Sequence, residues 1–416
     1  MKIIADLHIH SKYSRATSKN MTLENIDKYG KLKGLNLIGT GDFTHPIWFK
    51  ELKQQLRERE SSGLYKYKSD DVSYMITGEI SLMYTQDGKG RRVHFVILVP
   101  SLDIAAQITD WLKTKGRVDY DGRPIFGFDA IEFTEAMVNI SKDIMLIPAH
   151  IMTPWFGILG DKGGFDSIQD CFKDQVKHIH AVETGLSADP EMLWRISSLD
   201  KFTSVSFSDC HSFYPWRMGR EATILNTKLT YKDVISAIKN KKIDYTIEVD
   251  PAYGKYHWDG HRACNVFLNP KQSIKAHSIC PVCQKKLTVG VEHRIEELAD
   301  RDPGFKLKNA PGFKRLLPLS ELIAAAYNTA VSSKRVQEQS NKIMDEFKTE
   351  LYVLLEAPEE KIKLIAGEKI AKLIIGNRNG KLKVQPGYDG IYGQLLLEGN
   401  IKSMTAKAQK NLRSFS

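Results

Sequence analysis

The residues with the clearest chemical potential come at the very start of the chain. Asp6-Leu7-His8-Ile9-His10 sets one carboxylate and two imidazoles at every second position. The two-residue period of a strand would point all three to one side. Asp209-Cys210-His211 repeats the spacing, with Asp209 and His211 on one side and Cys210 turned into the core. Mixtures of imidazole and carboxylate suit Zn²⁺, Mn²⁺ or Fe²⁺, and a carboxylate such as Glu79 can bridge two ions. Asp42 with His45, His150 and Glu183 stand at the ends of further apolar runs. His94 lies near the start of its run, so a bulge or a tilted strand is needed to bring it in. Buried ionisable groups are costly without partners or metal, so the whole set reads as a metal centre and not as core.

The elements that must position these groups alternate along the first 250 residues. Short runs rich in Ile, Val and Leu interleave with helix-like stretches, the pattern of parallel βα units. Seven strands are expected, at Lys2–Ile9, Leu35–Gly39, Tyr74–Ile80, Val93–Val99, Ile144–Ile147, Ile179–Val182 and Phe202–Phe207. Polar residues gather at the C-terminal ends of these runs, where the loops of a β/α barrel converge into a site. Around Ala252–Gly260 the alternation stops. The chain thus divides into a barrel at 1–250, an inserted metal module at 251–291 and a basic helical region at 292–416. Ser320–Asn328, Val336–Leu355 and Glu359–Gly376 are the expected helices of the last part.

The module carries Cys280-Pro281-Val282-Cys283 and, upstream, His261-Arg262-Ala263-Cys264. This separation suits a closed tetrahedral structural zinc held by His261, Cys264, Cys280 and Cys283, with His257, His277 and His293 as competitors for the imidazole position. A redox CxxC is the weaker reading, because no thioredoxin-like βαβ pattern surrounds it. Arg262, Lys271, Lys275, Lys285 and Lys286 give the module a basic flank that could rest on phosphates.

The net charge of +10 is unevenly placed. Residues 1–250 hold 33 Lys and Arg against 33 Asp and Glu, whereas 251–416 hold 27 against 17. A neutral front joined to a basic back suggests a polyanion held by one part while the other acts on it. Five cysteines do not make a disulfide framework, and no apolar run approaches the ~18 residues needed to cross a bilayer. A soluble, cytoplasmic protein is expected.

The motif run resembles the polymerase and histidinol phosphatase (PHP) domain family over about 1–250. DLHIHS at 6–11, GTGDFTH at 39–45, GEIS at 78–81, His94, PAH at 148–150 and SDCHS at 208–212 follow the family order. The resemblance implies a distorted (β/α)7 barrel in which His8, His10, Glu79 and Asp209 hold one ion and Glu79, His94 and His150 a second. A third ion is common in the family, but no His lies between 11 and 44 here and Phe43 replaces the His expected after Asp42. Asp42, His45, Glu183 and His211 remain as groups that could rebuild it. Asp6 is expected behind the ligands, orienting an imidazole. Glu79, Asp209 and His211 are the candidate catalytic residues.

HRACN at 261–265, CPVC at 280–283, VEHRIEELADR at 291–301 and PGYDGIYG at 386–393 narrow the resemblance to the endonuclease Q group of DNA repair enzymes. It implies cutting of DNA on the 5′ side of deoxyuridine, deoxyinosine, deoxyxanthosine and abasic sites, with catalytic Mg²⁺, Mn²⁺ or Zn²⁺ and a structural Zn²⁺. Cutting beside a base while reading it requires extrusion from the stack, and a deaminated or mispaired base is the easiest to extrude. Tyr13, Phe43, Trp48, Trp155 and Phe156 are expected in loops over the metal face. Tyr13, Trp48, Lys381, Lys383 and Tyr388 are the candidate DNA contacts, and PGYDGIYG reads either as a turn offering amides to phosphate or as a plain connection. Gln409–Phe415 has the Gln, Leu and Phe spacing of a sliding-clamp peptide. Two other readings compete: a PHP phosphatase for small histidinol-phosphate-like or nucleotide monoesters, and a catalytically inactive factor that binds nucleic acid through its zinc ribbon. The zinc module and basic back half weigh against the first, and the intact ligand set against the second.

Overall fold

A computed structural model describes residues 1–397; the clamp-like Gln409–Phe415 lies outside the described residues. All seven expected strands are present, as Lys2–Asp6, Leu37–Gly39, Ser73–Gln86, Lys89–Val99, Met145–Pro148, Ala181–Glu183 and Thr203–Val205. The first sits centrally, parallel to Leu37–Gly39 on one side and antiparallel to Ala222–Asn226 on the other. Leu37–Gly39 runs parallel to Ser73–Gln86, and Ala181–Glu183 runs parallel to Thr203–Val205.

The uniformly parallel pattern expected from the sequence is not what forms. Ser73–Gln86 and Lys89–Val99 make a long antiparallel hairpin, and Lys89–Val99 pairs antiparallel with Met145–Pro148. Asp87 and Gly88 turn the hairpin with φ of 53° and 73°. That is the two-residue Asp-Gly turn whose twist matches paired strands. Ala222–Asn226, Tyr245–Glu248 and Gly312–Arg315 extend the sheet beyond the expected set, so residues from well past 250 join the sheet that holds the first strand. The architecture is mixed α/β with a central sheet and a helical region toward the C-terminus.

The central strands are apolar on both sides because both are covered. Ile3, Ala5, Leu7, Met75, Val96, Leu98, Ile147 and Phe207 form one buried cluster, closed by Val234, Ile235 and Ile238 of the helix Tyr231–Lys239. Each fully buried aliphatic side chain of this kind stabilises the fold by roughly 1.5–3 kcal/mol. The larger cluster packs the outer helices on the opposite sheet surface and runs on into the helical region.

Two of the three expected C-terminal helices are each split in two. Val336–Leu355 becomes Lys334–Phe347 and Glu350–Leu355, broken where Lys348 takes φ 71°. Glu359–Gly376 becomes Glu359–Ala366 and Glu368–Arg378, broken at Gly367 with φ 83°. The helical region is tied to the helix Leu23–Lys33 by a buried ion pair, Lys33 Nζ to Glu350 Oε1 at 2.6 Å, and Lys33 also donates to the Pro215 carbonyl at 2.8 Å. No helix among the described residues is long and apolar enough to cross a membrane.

Candidate metal centres

The expected ligands meet in two adjoining groups. Ligand atoms of His8, His10, Glu79 and Asp209 lie within 4.8 Å of one another, as do those of Glu79, His94 and His150. Glu79 belongs to both: its Oε2 is 3.2 Å from His10 Nε2 and 3.5 Å from His8 Nε2, while its Oε1 is 2.7 Å from His94 Nδ1 and 3.3 Å from His150 Nε2. His94 needs no bulge. Its strand runs antiparallel to Ser73–Gln86, and His94 sits opposite Ser81, two residues from Glu79 and on the same face.

Backbone strain collects here. Asp42, His150 and Asp209 hold φ of 48°, 32° and 45°, a left-handed conformation unusual for these residues and typical of functional sites. The turns put their side chains just beyond the strand ends.

Two carboxylates stand behind the imidazoles. Glu183 accepts from His8 Nδ1 at 2.9 and 3.1 Å and from the His150 backbone N–H at 2.7 Å. Asp42 accepts from His10 Nδ1 at 3.0 Å, from the Ser11 N–H and hydroxyl at 2.6 Å each, and from the Ser14 hydroxyl at 3.0 Å. An ionised carboxylate only accepts, so each Nδ1 carries a proton and each Nε2 is turned toward the shared space. His8 Nε2 is buried there with no hydrogen-bond partner, 3.5 Å from both Glu79 Oε2 and Asp209 Oδ1.

Several expectations change accordingly. Asp42, Glu183 and His211 join neither group of converging ligand atoms, so the third-site residues are not brought together; the oxygens of Asp42 and Glu183 are engaged by imidazole, amide and hydroxyl donors. His45 is buried under Tyr13, with ring centroids 4.4 Å apart. Asp6 touches no imidazole. It accepts from the Ser208 N–H and hydroxyl and from the Gly219 N–H, tying down the segment that carries Asp209. Sequence periodicity placed Asp6 correctly on the strand, but the distant 208–219 segment engages its carboxylate.

The electrostatics of the site favour positive charge among its carboxylates. Burial alone would lower the pKa values of His8 and His10, yet facing carboxylates outweigh it and hold both well above the usual histidine range. Burial works to raise Glu79 and Asp209, but the surrounding imidazoles, with Arg123 beside Glu79, hold both well below the usual carboxylate range. Burial takes His94 down to about 4, leaving a neutral ring. Protonated imidazoles thus supply charge that a cation would otherwise bring, and the donor set, with an orphaned buried Nε2, fits divalent metal. Asp209 and His211 form the open side of the site, with side chains 27% and 29% exposed. His211 is 4.4 Å, ring to ring, from His10, and burial lowers its pKa.

One group at the site carried no sequence signal. Arg123, in the turn before a short strand Ile125–Phe126, donates to Glu79 Oε2 at 3.0 Å. It follows no motif, and only the fold of the 121–124 turn brings it in.

The second cluster joins His261, Cys264, Cys280 and Cys283, with His261 Nδ1 3.5 Å from Cys283 Sγ. Of the competing imidazoles, His293 Nδ1 lies 2.5 Å from Asp259 and His257 faces Glu292, while His277 joins no group of converging ligand atoms among the described residues. A Cys₃His set of this kind fits a closed tetrahedral zinc.

The aromatic and basic candidates divide by burial. Phe43 and Trp48 are fully buried, and Trp48 donates to the carbonyls of Thr40 and Gly41, so neither offers a face to a ligand. Tyr13 is half-buried and donates to Glu51. Phe156 stacks on His94, and Trp155 packs edge-on against Tyr256. Tyr388 is buried and donates to Asn265, whereas Lys381 and Lys383 are exposed. The amides of PGYDGIYG are used internally: Gly387, Gly390 and Gly393 donate to Ala252, Lys255 and Tyr253. A Cβ at Gly387 or Gly393 would sit 2.1–2.2 Å from a backbone oxygen, so these glycines permit close packing and leave no amide nest for phosphate.

The geometry can be set beside known proteins. Residues 318–381 match the family described as the MJ0043 C-terminal domain. The uncharacterized protein YqxK of Bacillus subtilis is 29% identical over 422 residues, spanning 95% of this chain and 99% of that one. The uncharacterized protein MJ0043 of Methanocaldococcus jannaschii is 30% identical over 289 residues, covering 67% of this chain and 35% of its own. Among solved structures, the lesion-specific endonuclease PfuEndoQ from Pyrococcus furiosus superposes with a TM-score of 0.85 at 33% identity, covering 97% of this chain and 99% of that one. A complex of endonuclease Q with a 27-mer duplex carrying an abasic lesion at the active site gives 0.85 at 34% identity, covering 97% and 98%. Likeness at this identity over essentially both whole chains includes the sheet, the Cys and His module and the helical region together, and so the chain belongs to the endonuclease Q family.

Proposed function

We propose that this chain is a DNA repair endonuclease that nicks on the 5′ side of deaminated bases (uracil, hypoxanthine and xanthine) and of abasic sites. The observation that carries the reading is Glu79, a buried carboxylate whose two oxygens face two groups of imidazole ligands. Bound divalent ions would polarise a phosphate oxygen and lower the pKa of water, so no nucleophilic side chain is needed. His8, His10, Glu79 and Asp209 would hold one, and Glu79, His94 and His150 the other. Glu183 and Asp42 keep the ligating imidazoles in one tautomer and orientation. His211, neutral at pH 7 and at the open side, is placed to take or return a proton.

The rest of the reading follows from the same resemblance. The sheet with its strand-end ligands is a distorted PHP-type barrel at 1–250, His261, Cys264, Cys280 and Cys283 hold a structural zinc at 251–291, and 292–416 forms the basic helical part. An extruded lesion base needs an aromatic slot. A cavity of about 190 Å³ bordered by Trp216, Arg217, Tyr253, Glu321 and Tyr392 supports this, since its wall residue Arg220 donates to the Ser208 carbonyl beside Asp209. Lys381 and Lys383 are the remaining DNA contacts of the proposal, in a protein acting on the chromosome in the cytoplasm. Gln409–Phe415 is proposed to bind a sliding clamp; deleting 409–416 should abolish clamp pull-down.

The test is direct. End-labelled duplexes with one uracil, hypoxanthine, abasic analogue or normal base are incubated with Mg²⁺ or Mn²⁺ and the products sized. A nick immediately 5′ of the lesion, absent from the normal duplex and from Asp209→Ala, is expected. Phosphate release from small monoesters without nicking would favour a phosphatase instead.

A further inference from the structure

We infer that Arg123 binds the phosphodiester being cut, its guanidinium donating to a non-bridging oxygen beside Glu79. The inference rests on the proposed endonuclease reading and adds a substrate-contacting residue to it.

Arg123 is carried on a turn built against the site. The Asp121 carboxylate accepts from the N–H groups of Arg15 and Arg123 at 3.2 and 3.1 Å, and the Gly122 N–H donates to the Tyr13 carbonyl at 3.0 Å. The Ser81 N–H donates to the Pro124 carbonyl at 3.0 Å, joining the turn to the strand that bears Glu79. At Gly122 a Cβ would lie 2.4 Å from the Asp42 carboxylate and from the Ser14 hydroxyl, so the turn presses as close to the His10 support as a backbone can. An arm anchored at each end in this way presents its side chain with little freedom.

The guanidinium approaches from the open side: its side chain is 24% exposed while Glu79 is 0%. One Nη1–H group meets Glu79 Oε2, and the remaining guanidinium N–H groups make no protein hydrogen bond among the described residues. Spare donors in a planar fork match the paired oxygens of a phosphate. Glu79 Oε2 is also the oxygen nearest His10 Nε2 and His8 Nε2. Once divalent charge satisfies that oxygen, a guanidinium alongside it is repelled unless an anion joins it. The phosphate of the strand being cut is that anion.

The test separates phosphate contact from simple support of Glu79. Single-turnover nicking of an abasic-analogue duplex is measured over a Mn²⁺ titration up to saturation for wild type, Arg123→Ala and Arg123→Lys, with bound metal quantified on the same samples. The expected loss for Arg123→Ala is on the order of 10²–10³-fold with metal content unchanged, as for removal of one transition-state donor. Arg123→Lys should recover part of it. Independently of turnover, affinity is measured in Ca²⁺ for the same duplex with a natural or a methylphosphonate linkage 5′ of the lesion. Wild type should bind the methylphosphonate about 10-fold more weakly, and Arg123→Ala should bind the two alike. Metal loss that tracks the rate loss, with full activity restored at high Mn²⁺, would overturn the inference and leave Arg123 as a support for Glu79. A wild type that nicks none of the lesion duplexes overturns the proposed function as well.

Discussion

Replacing Glu183 by Gln should weaken metal binding unevenly, and the structure says by how much. The carboxylate serves both groups, through His8 Nδ1 at 2.9 and 3.1 Å and through the His150 backbone N–H at 2.7 Å. A glutamine keeps one oxygen and gains an NH₂. The His150 amide can only donate, so it retains the oxygen, and the NH₂ is left facing His8 Nδ1. That nitrogen must then accept, which moves the ring proton to Nε2, the atom that would otherwise bind metal. Outer partners of ligating imidazoles are worth ~10–100-fold in metal affinity, or roughly 1.4–2.7 kcal/mol, and blocking the donor atom puts His8 at the upper limit. The expected result is about 100-fold weaker binding of one ion and less than about 10-fold for the other. Competition against a chromophoric chelator, with Zn²⁺ or Mn²⁺ as the titrant, resolves two such classes of site. Asp42→Asn should likewise weaken the ion held by His10 while sparing the His94 and His150 group. A folded Glu183→Gln protein that binds both ions as tightly as wild type would refute the assigned orienting role.

Three further outcomes are expected. Cys280→Ser should lose one zinc per chain and expose the 257–293 segment to limited proteolysis; unchanged zinc content would mean that the four side chains hold no metal. Lys33→Met should destabilise by about 3–5 kcal/mol, because it leaves Glu350 buried without its cation. Adding Glu350→Leu should restore most of that in urea titrations, and a double variant no better than the single one would argue against the pair. Glu248 is fully buried among the hydroxyls of Thr184, Ser206 and Thr246, and burial, with Glu221 also buried nearby, raises its pKa well above the usual carboxylate range. With the folded value above the unfolded one, its contribution is complete at low pH and declines as pH rises from the ordinary carboxylate range toward the raised folded value, by up to ~1.4 kcal/mol per unit. Glu248→Gln should flatten that decline, and an unaltered pH–stability curve would exclude Glu248 as its source.

The parts of the site that were legible from sequence are those governed by local period. His8 and His10 share a side because a strand alternates, and Cys280 and Cys283 share a site because two intervening residues bring their thiols together. Strand direction was less legible, although Asp87-Gly88 is a hairpin signal, and the antiparallel strand that it starts is what brings His94 beside Glu79. The imidazole-orienting hydrogen bond expected of Asp6 is made by Glu183 instead, because a carboxylate's partner depends on which loop arrives nearby. Trp48 and Tyr388 look like ligand surfaces in a one-dimensional reading and prove to be packing, since aromatics fill whatever space the fold leaves. Arg123 could not be found at all: its position depends on a turn held by residues distant along the chain, including Tyr13 and Ser81.

The clasp between the 386–393 loop and the zinc module also orders events during synthesis. Asp389 accepts from the Arg262 N–H and the Thr288 hydroxyl, both at 2.7 Å, and Tyr388 fills the space over Gly260. On the ribosome these partners emerge only after roughly another hundred residues, on the order of 5–20 s at typical elongation rates. Until then the module's own apolar cluster is Val266, Cys280 and Leu287, too little to hold a fold. The proposed zinc would therefore have to be captured first, with the thiols still open to solvent, and the late-arriving loop would then seal the module.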